Sequence, residues 1–224
     1  MLPSLLKTSS SSAYDVLRDG LICGRWKSGE RLKPQHLKAE MGCTSAALRE
    51  ALLRLAGEGF VEVEKNHGFR AVTHSRETFH EAAHLRLLLE SEALLLAIKY
   101  GDFEWEMNVS AAHQKLAYIE QQMSHKDDIT AYVERWSRQD WEFHSALLCA
   151  CGSTLLMRNY KAVYDTFRMY AVSEVRNFGF SASSTIDEHH SIYDAAVNRD
   201  ELACHAALKR HLDVSYRDGG VKVE

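Results

Sequence analysis

The chain has 224 residues, of which 46% are hydrophobic and 26% are charged, and its formal net charge is -4. This length accommodates one or two domains with a sizeable hydrophobic core. No stretch approaches the roughly 20 consecutive apolar residues that cross a bilayer, and the first residues lack the pattern of a signal peptide. Composition therefore disfavours a membrane protein and a secreted protein.

The five cysteines indicate a reducing compartment. Their number is odd and they include no CxxC pair, which favours free thiols over disulfides or a zinc site. Cys149 and Cys151 are two apart in a predicted helix and point to different faces, so we interpret them as packed thiols rather than metal ligands. Together these features predict a cytoplasmic protein without a membrane partner.

The first predicted helix runs from Tyr14 to Cys23, and Gly24 ends it. A second helical pattern around Leu37 breaks at Gly42 and resumes at Leu48, which predicts a helix, a tight turn and another helix. Three helices in this order are typical of a helix-turn-helix domain, in which the leading helix packs behind the other two.

An extended hairpin follows these helices. The apolar period changes from 3.6 to 2 in residues 60–64, residues 66–68 form a turn, and Phe69 begins a second extended run. We therefore predict a two-stranded wing after the third helix. A winged helix-turn-helix is a shape that reads double-stranded DNA.

The amino-terminal end of the third helix is the predicted DNA-contacting end of the recognition helix. Thr44, Ser45 and Arg49 lie near this end on the outward face, where arginine can reach guanine and hydroxyl groups suit phosphates. His67 and Gly68, at the wing, are further candidate DNA contacts. For an isolated helix, Arg49 would more simply be a solvated or Glu-paired residue, and that interpretation stays open.

Charge is distributed asymmetrically along the chain. Residues 1–75 carry 11 Lys plus Arg against 8 Asp plus Glu, a net +3, which leaves 16 against 23, or -7, for the remainder. Only the first third can attract phosphates, and it does so weakly. We therefore expect DNA affinity to come from two copies of the chain.

From residue 75 onward the pattern is helical throughout. Both prolines lie upstream, and glycine, serine or aspartate separates the predicted helices, which are 76–100, 102–123, 128–151, 154–177, 184–198 and 200–216. We predict a mainly α protein with a winged helix-turn-helix domain over residues 1–74. An antiparallel all-α bundle of about six helices follows over residues 75–224.

Four polar residues of the bundle are candidate metal ligands. Asp140 and His144 are four apart and share a face that Phe143 and Leu147 turn inward. His189 and His211 are inward candidates on the last two helices. One carboxylate and three imidazoles would suit zinc, nickel, manganese or iron, although a single buried histidine is more often a core residue than a ligand.

The first domain resembles the GntR superfamily of bacterial regulators. Residues 48–52 (LREAL), Leu55 and residues 58–61 (EGFV) are similar to its signature of REAL, a short gap, and L-x-x-EG-aliphatic-V. The family usually carries a serine, an arginine and Thr-Pro where this chain has residues 44–47 (TSAA). One expected base-contacting arginine is thus replaced by Ser45, so the operator of relatives does not transfer.

The second domain resembles the FCD effector-binding domain of the FadR-type branch of that superfamily. The similar motifs lie in residues 140–144, 188–196 and 200–212. The resemblance implies that the four candidate ligands bind a divalent metal ion and that a small organic acid coordinates it through a carboxylate. It also makes Arg86 the candidate partner of that carboxylate, although an internal salt bridge to Glu90 is an equal alternative.

The resulting hypothesis is a ligand-responsive transcriptional regulator, dimeric on a pseudo-palindromic operator. One alternative is a metal-dependent hydrolase. Against it, we expect no inward carboxylate near the ligands to serve as general base, because Glu142 lies on another face than Asp140 and His144. The other alternative is a DNA-binding regulator whose metal is purely structural.

Overall fold

A computed structural model describes residues 12–64 and 68–213. These residues form two compact units, which divide between His74 and Ser75. The described parts contain nine α-helices and three β-strands, so the protein is mainly helical. The predicted wing contact His67 lies outside the described residues, as does the end of the predicted helix 200–216.

The first unit contains three helices and a small sheet. Its elements in chain order are α1 (Ala13–Ile22), β1 (Arg31–Leu32), α2 (Pro34–Met41), α3 (Ser45–Gly57), β2 (Val61–Glu64) and β3 (Gly68–Ala71). Gly42 ends α2 with a φ of 63°, a left-handed conformation that glycine adopts without strain. The side chain of Thr44 then caps α3 by accepting from the Ala47 amide at 3.1 Å.

The sheet has three strands rather than the predicted two. Both β1 and β2 pair antiparallel with β3, in the order β1-β3-β2. The predicted wing is therefore extended by Arg31–Leu32, a segment too short to show an alternating pattern. Leu32 is buried, which ties this strand to the apolar core.

The core of the first unit is entirely aliphatic and aromatic among its described residues. α1 and α3 pack together, and α2 contributes Leu37. The buried side chains include Leu17, Leu21, Leu37, Leu48, Leu52, Leu55, Phe60 and Phe69. Their 3.6-residue spacing leaves the opposite face of α3 in solvent.

The second unit is a helical bundle. Its helices are α4 (Arg76–Tyr100), α5 (Phe103–Ser124), α6 (Thr130–Leu148), α7 (Thr154–Phe178), α8 (Ala182–Val197) and α9 (Glu201–His211), with a 3-10 turn at Cys149–Cys151 between α6 and α7. Side chains of Ser75, Asp102, Ser153 and Asp200 cap four of them. The predicted helix 128–151 is therefore an α-helix only as far as Leu148, and its last residues form the tighter 3-10 turn.

The packing of this unit places polar residues in its interior. α4 packs mainly against α7, α5 lies between α6 and α8, and α9 contacts α8 and α4. The apolar core surrounds ten buried polar or charged residues, namely Arg86, Glu90, Glu120, Ser137, Asp140, His144, Asp165, Arg168, His189 and His211. Buried charges are retained only when they are paired or bind a ligand.

None of the described helices is long and apolar enough to cross a membrane. Cys43, Cys149, Cys151 and Cys204 are free thiols, and of the pair Cys149 and Cys151 only Cys151 is buried.

Candidate metal and effector site

Three histidines converge inside the bundle. His144 of α6, His189 of α8 and His211 of α9 each offer a ring nitrogen, and these atoms all lie within 4.8 Å of one another. The imidazole centroids of His189 and His211 are 4.6 Å apart, and those of His144 and His211 are 5.2 Å apart. The structure therefore brings together the three imidazoles that the sequence singled out.

A glutamate accepts from the Nδ1 atom of each imidazole. His144 donates to Glu90 Oε1 at 2.5 Å and His189 donates to Glu120 Oε1 at 2.7 Å. In the third pair, His211 Nδ1 donates to Glu188 Oε2 at 3.1 Å. Such carboxylates fix the tautomer and leave Nε2 as the electron-pair donor toward a metal ion.

Two of these nitrogens lack a hydrogen-bond partner within the described chain. Nε2 of His144 and Nε2 of His189 are buried without a hydrogen bond to any described residue. Burying an unsatisfied nitrogen costs free energy, which a bound cation would offset. The donor set of this chain therefore fits a divalent metal ion.

Asp140 adjoins the histidines. Its Oδ1 lies 3.4 Å from His189 Nε2 and 3.3 Å from Arg168 Nη1, and its Oδ2 accepts from the Tyr164 hydroxyl at 2.5 Å. Burial acts to raise the pKa of this carboxyl, but Arg168 and the imidazoles outweigh it and hold the pKa well below its usual range. Asp140 is thus an anion beside the imidazoles, although the group whose ligand atoms all lie within 4.8 Å of one another contains the three histidines and not Asp140.

Arg86 is buried next to this cluster. Its Nε donates to Glu90 Oε2 at 2.8 Å, so the internal salt bridge anticipated from the spacing is present. Its guanidinium carbon lies 4.8 Å from the ring centroids of Tyr164 and Phe167, and its Nη2 atom is buried without a hydrogen-bond partner among the described residues. One edge of the guanidinium is therefore left to receive an acceptor oxygen.

The charges of this cluster are strongly coupled. Burial alone would raise the pKa of Glu90, but Arg86 and His144 lower it to about 2. Burial alone would lower the pKa of His189, but Glu120 and Asp140 raise it to about 9. For His144 burial prevails and the pKa is lowered, which favours the neutral imidazole that a metal requires.

One expectation from the sequence is wrong. Inward carboxylates do lie beside the histidines, because Glu90 and Glu120 are fully buried and contact them. Glu142 faces elsewhere, as expected, and pairs with Lys115 at 3.6 Å. The sequence does carry a signal for Glu120. It follows Ile119 and lies between Leu116 and Met123, whose helical spacing marks the buried face of α5.

The predicted DNA-reading residues lie on the surface of the first unit. Thr44, Ser45 and Arg49 are exposed, as is Gly68 at the start of β3. Arg49 forms no ion pair or hydrogen bond with any residue that the structure describes. It is therefore solvated and accessible, although the Thr44 hydroxyl is already engaged as the cap of α3.

A winged helix-turn-helix with an exposed recognition-helix start, followed by a helical domain with a buried polar centre, defines a transcriptional regulator. The chain belongs to the gntR family of bacterial regulatory proteins, whose model matches residues 9–70, and it carries an FCD domain over residues 81–214. The matched families and relatives are regulators rather than enzymes.

Curated relatives support the same class. The chain is 27% identical to an uncharacterized HTH-type transcriptional regulator, BphR, of Paraburkholderia xenovorans, over 91% of this chain and 82% of that protein. It is also 27% identical to the HTH-type transcriptional repressor GlaR of Escherichia coli, over 91% and 92% of the two chains.

Solved structures share the fold. The structure of E. coli McbR/YncC aligns with a TM-score of 0.78 at 18% identity, covering 94% of this chain and 97% of that one. A putative GntR transcriptional regulator from Rhodococcus sp. RHA1 aligns with a TM-score of 0.75 at 21% identity, covering 93% and 97%. At these identities the similarity shows the fold alone.

Proposed function

We propose that this regulator senses a small organic acid at a metal ion held by Asp140, His144, His189 and His211. The observation that carries the proposal is that each of the three imidazoles has its Nδ1 engaged by a glutamate. This arrangement is found behind metal-bound histidines, where it orients the ring and raises its basicity. A core without a ligand would have little use for three such pairs.

The donor types narrow the choice of metal. Three imidazole nitrogens and one carboxylate oxygen form a borderline set, which suits zinc, nickel, manganese or iron rather than calcium or magnesium. When bound, the ion supplies a Lewis-acidic centre that attracts an anionic oxygen. The four side chains hold it, and the three glutamates keep the rings in position.

Arg86 supplies the second half of the proposed effector site. Its unpartnered Nη2 is buried, and its Nε is anchored by Glu90, which also holds the ligand His144. A carboxylate that reaches both the metal and this guanidinium would satisfy the orphan donor. The anchoring to Glu90 therefore supports, rather than opposes, a role for Arg86 in binding the acid.

Dimerisation through the helical domain is the third element of the proposal. The weak positive charge of the first 75 residues calls for two copies on one operator. α4 exposes Leu85 and Leu88 to solvent, at 45% and 55% of their areas, which suits a surface that a second copy covers. Solution mass should then be twice 25.4 kDa.

The effector would control DNA binding by linkage. An acid that binds two arrangements of the dimer unequally shifts DNA affinity by that difference, typically ~1–3 kcal/mol. The test is fluorescence anisotropy of metal-loaded protein on its own upstream DNA, with random DNA as control, before and after addition of small carboxylates. Equal, salt-insensitive binding to both DNAs would overturn the regulator mechanism.

A purely structural metal remains the competing explanation, since the ion alone would satisfy the orphan imidazoles. The two explanations separate in a thermal-shift screen of metal-loaded protein against hydroxy-, keto- and dicarboxylic acids. A sensor must gain stability by mass action when its ligand is present. A metal-dependent melting temperature that no acid raises would favour the structural role.

A further inference from the structure

The outer face of α5 carries a row of exposed residues that is rich in large apolar side chains. Phe103, Met107 and Tyr118 are 76%, 54% and 61% exposed, and the exposed residues Ala111 and Gln114 lie between Met107 and Tyr118. Steps of three or four residues place all five on one side of the helix. This row, the α5 stripe, is about 22 Å long at a rise of ~1.5 Å per residue.

The opposite side of α5 already supplies the core of the bundle. Its buried residues include Trp105, Val109 and Leu116. A surface helix of a globular protein needs one apolar face, so the α5 stripe is a second apolar face, and no described element covers it. Single exposed apolar residues are common in monomers, whereas several large ones in one row are typical of an interaction surface.

A groove adjoins the carboxyl-terminal half of the α5 stripe. Its volume is about 550 Å³, and residues of both α5 and α6 line it, among them Ala111, Tyr118, Ile119 and Arg135. Ala111 contributes only a methyl group to the stripe, so the backbone of a second helix can approach closely at this level. The groove therefore offers space for a large apolar side chain from another molecule.

The exposed charges along α5 change sign from one end to the other. Glu104 and Glu106 lie in its first turn, whereas Lys115 and Arg135 line the groove near its other end. Lys115 also pairs with Glu142 at 3.6 Å, but both side chains are exposed, so this ion pair is weak. Two α5 helices packed antiparallel bring an acidic end to a basic end twice, whereas parallel packing opposes like charges.

We propose that the α5 stripe is a contact surface between two copies of this chain, with the two α5 helices antiparallel about a two-fold axis near residues 110–111. Positions whose numbers sum to 221 then lie level with one another. Phe103 of each copy lies at the level of Tyr118 of the other copy, beside the groove, and Met107 lies at the level of Gln114. The surface is therefore complementary to itself, as a two-fold contact requires.

The flanking charges agree with this register. Glu104 follows Phe103 and Lys115 follows Gln114, so both lie on the same flank of the α5 stripe. In the antiparallel pair each Glu104 therefore faces Lys115 of the other copy. An anionic partner such as a lipid surface or a nucleic acid would be repelled at the Glu104 end, which favours a second copy as the occupant.

This contact is separate from the surface of α4, with Leu85 and Leu88, through which we propose that the dimer forms. Each two-fold contact occupies one face of each chain, so a chain that uses both faces joins two dimers into a tetramer. Such a tetramer carries four winged helices and can hold two operators at once.

The test of the apolar contact is sedimentation velocity of the full chain across a concentration series. With both contacts formed, the wild-type mass should rise toward four times 25.4 kDa. Phe103→Lys should halve the limiting mass, because it removes the ring and places a cation opposite Arg135. The matched control is Leu202→Lys, which changes a leucine that is 85% exposed in the first turn of α9 and should keep the wild-type mass.

Failure of this inference is distinguishable from failure of the proposed dimer. If the α4 contact does not form, the wild-type mass should reach two chains and Phe103→Lys should remain a single chain. A wild-type mass equal to that of Phe103→Lys at every concentration overturns the α5 contact, whatever the α4 surface does.

A charge exchange tests the register and does not depend on Phe103. Glu104→Lys and Lys115→Glu should each weaken the association about 10-fold, because the two-fold axis doubles the effect of each change. The double variant Glu104→Lys/Lys115→Glu should restore wild-type association, since opposite charges face each other again. A double variant that associates no more tightly than either single variant overturns the antiparallel contact.

Discussion

The two units place their polar residues in opposite ways. In the first unit the described core is apolar and the candidate DNA contacts, such as Arg49, are exposed. In the second unit the candidate ligands are buried among charges, and His144 and Glu90 have no exposed side-chain area. A solvated arginine costs little to keep, whereas a buried charge is expensive unless it is paired or bound. Burial is therefore a stronger sign of ligand binding in the second unit than exposure is of DNA binding in the first.

The largest effect should follow from removing one proposed ligand. His144→Ala should reduce bound metal from about one ion per chain to nearly none, because it removes one ligand nitrogen and also the imidazole that donates to Glu90 Oε1. Elemental analysis after gel filtration measures this, with His205→Ala, on an exposed residue of α9, as control. Wild-type metal content in His144→Ala would mean that His144 is not a metal ligand.

A smaller effect should follow from changing the carboxylate behind that ligand. Glu90→Gln keeps the shape but weakens the hold on His144 Nδ1 and on Arg86, and we expect a roughly 10–100-fold loss of metal affinity. Competition with a chelating dye measures the change. Glu92→Gln, at an exposed position on the same helix, is the matched control, and an equal affinity in both variants would refute the role of Glu90.

The next prediction concerns an exposed residue of the first unit. Arg49→Ala should weaken operator binding by about 1–3 kcal/mol if the guanidinium contacts a base, with folding and metal content unchanged. Anisotropy titration measures it. Arg54→Ala, farther along α3 and packed over Tyr14 with a guanidinium-to-ring distance of 3.7 Å, should affect operator binding less. If Arg49→Ala binds the operator as tightly as the wild type, Arg49 is only a solvated side chain.

The smallest effect concerns pH in metal-free protein. The pKa of His189 is raised to about 9, above its ordinary value of 6.5, so its proton stabilises the fold below pH 6.5 and that contribution is lost as pH rises through 9. We expect the free energy of unfolding, measured in urea after chelation, to fall as the pH rises from 6.5 to 9. His189→Gln should lack this fall, and identical profiles would exclude His189 as its source.

Local sequence patterns were sufficient for most of the fold. Helix α4 has the bounds 76–100 that its spacing predicts, because Ser75 and Gly101 mark its ends. The sequence did not predict β1, because Arg31–Leu32 is too short to show an alternating apolar pattern and is defined only by its pairing with β3. The 3-10 turn at Cys149–Cys151 similarly depends on how the chain reverses at Gly152.

Some residues of the candidate site could likewise be predicted from local spacing, and others are brought together only by packing. Asp140 and His144 are neighbours on one helix, so their spacing alone placed them on one face. Glu120 and Arg168 lie on α5 and α7, and only packing brings Glu120 to the Nε1 atom of Trp136 and Arg168 over the face of its ring. Sequence reasoning therefore found the imidazoles and missed two of the groups that surround them.

The sequence by itself determined the helices, the turn before the recognition helix and the residues able to bind a metal, since these depend on periods and side-chain chemistry within a few residues. Tertiary structure alone decided which carboxylate holds which imidazole and which buried atoms stay unpaired. The physical reason is that a hydrogen bond between distant helices depends on distances of a few tenths of an ångström, which no local spacing fixes. The specificity of the proposed site lies in those distances.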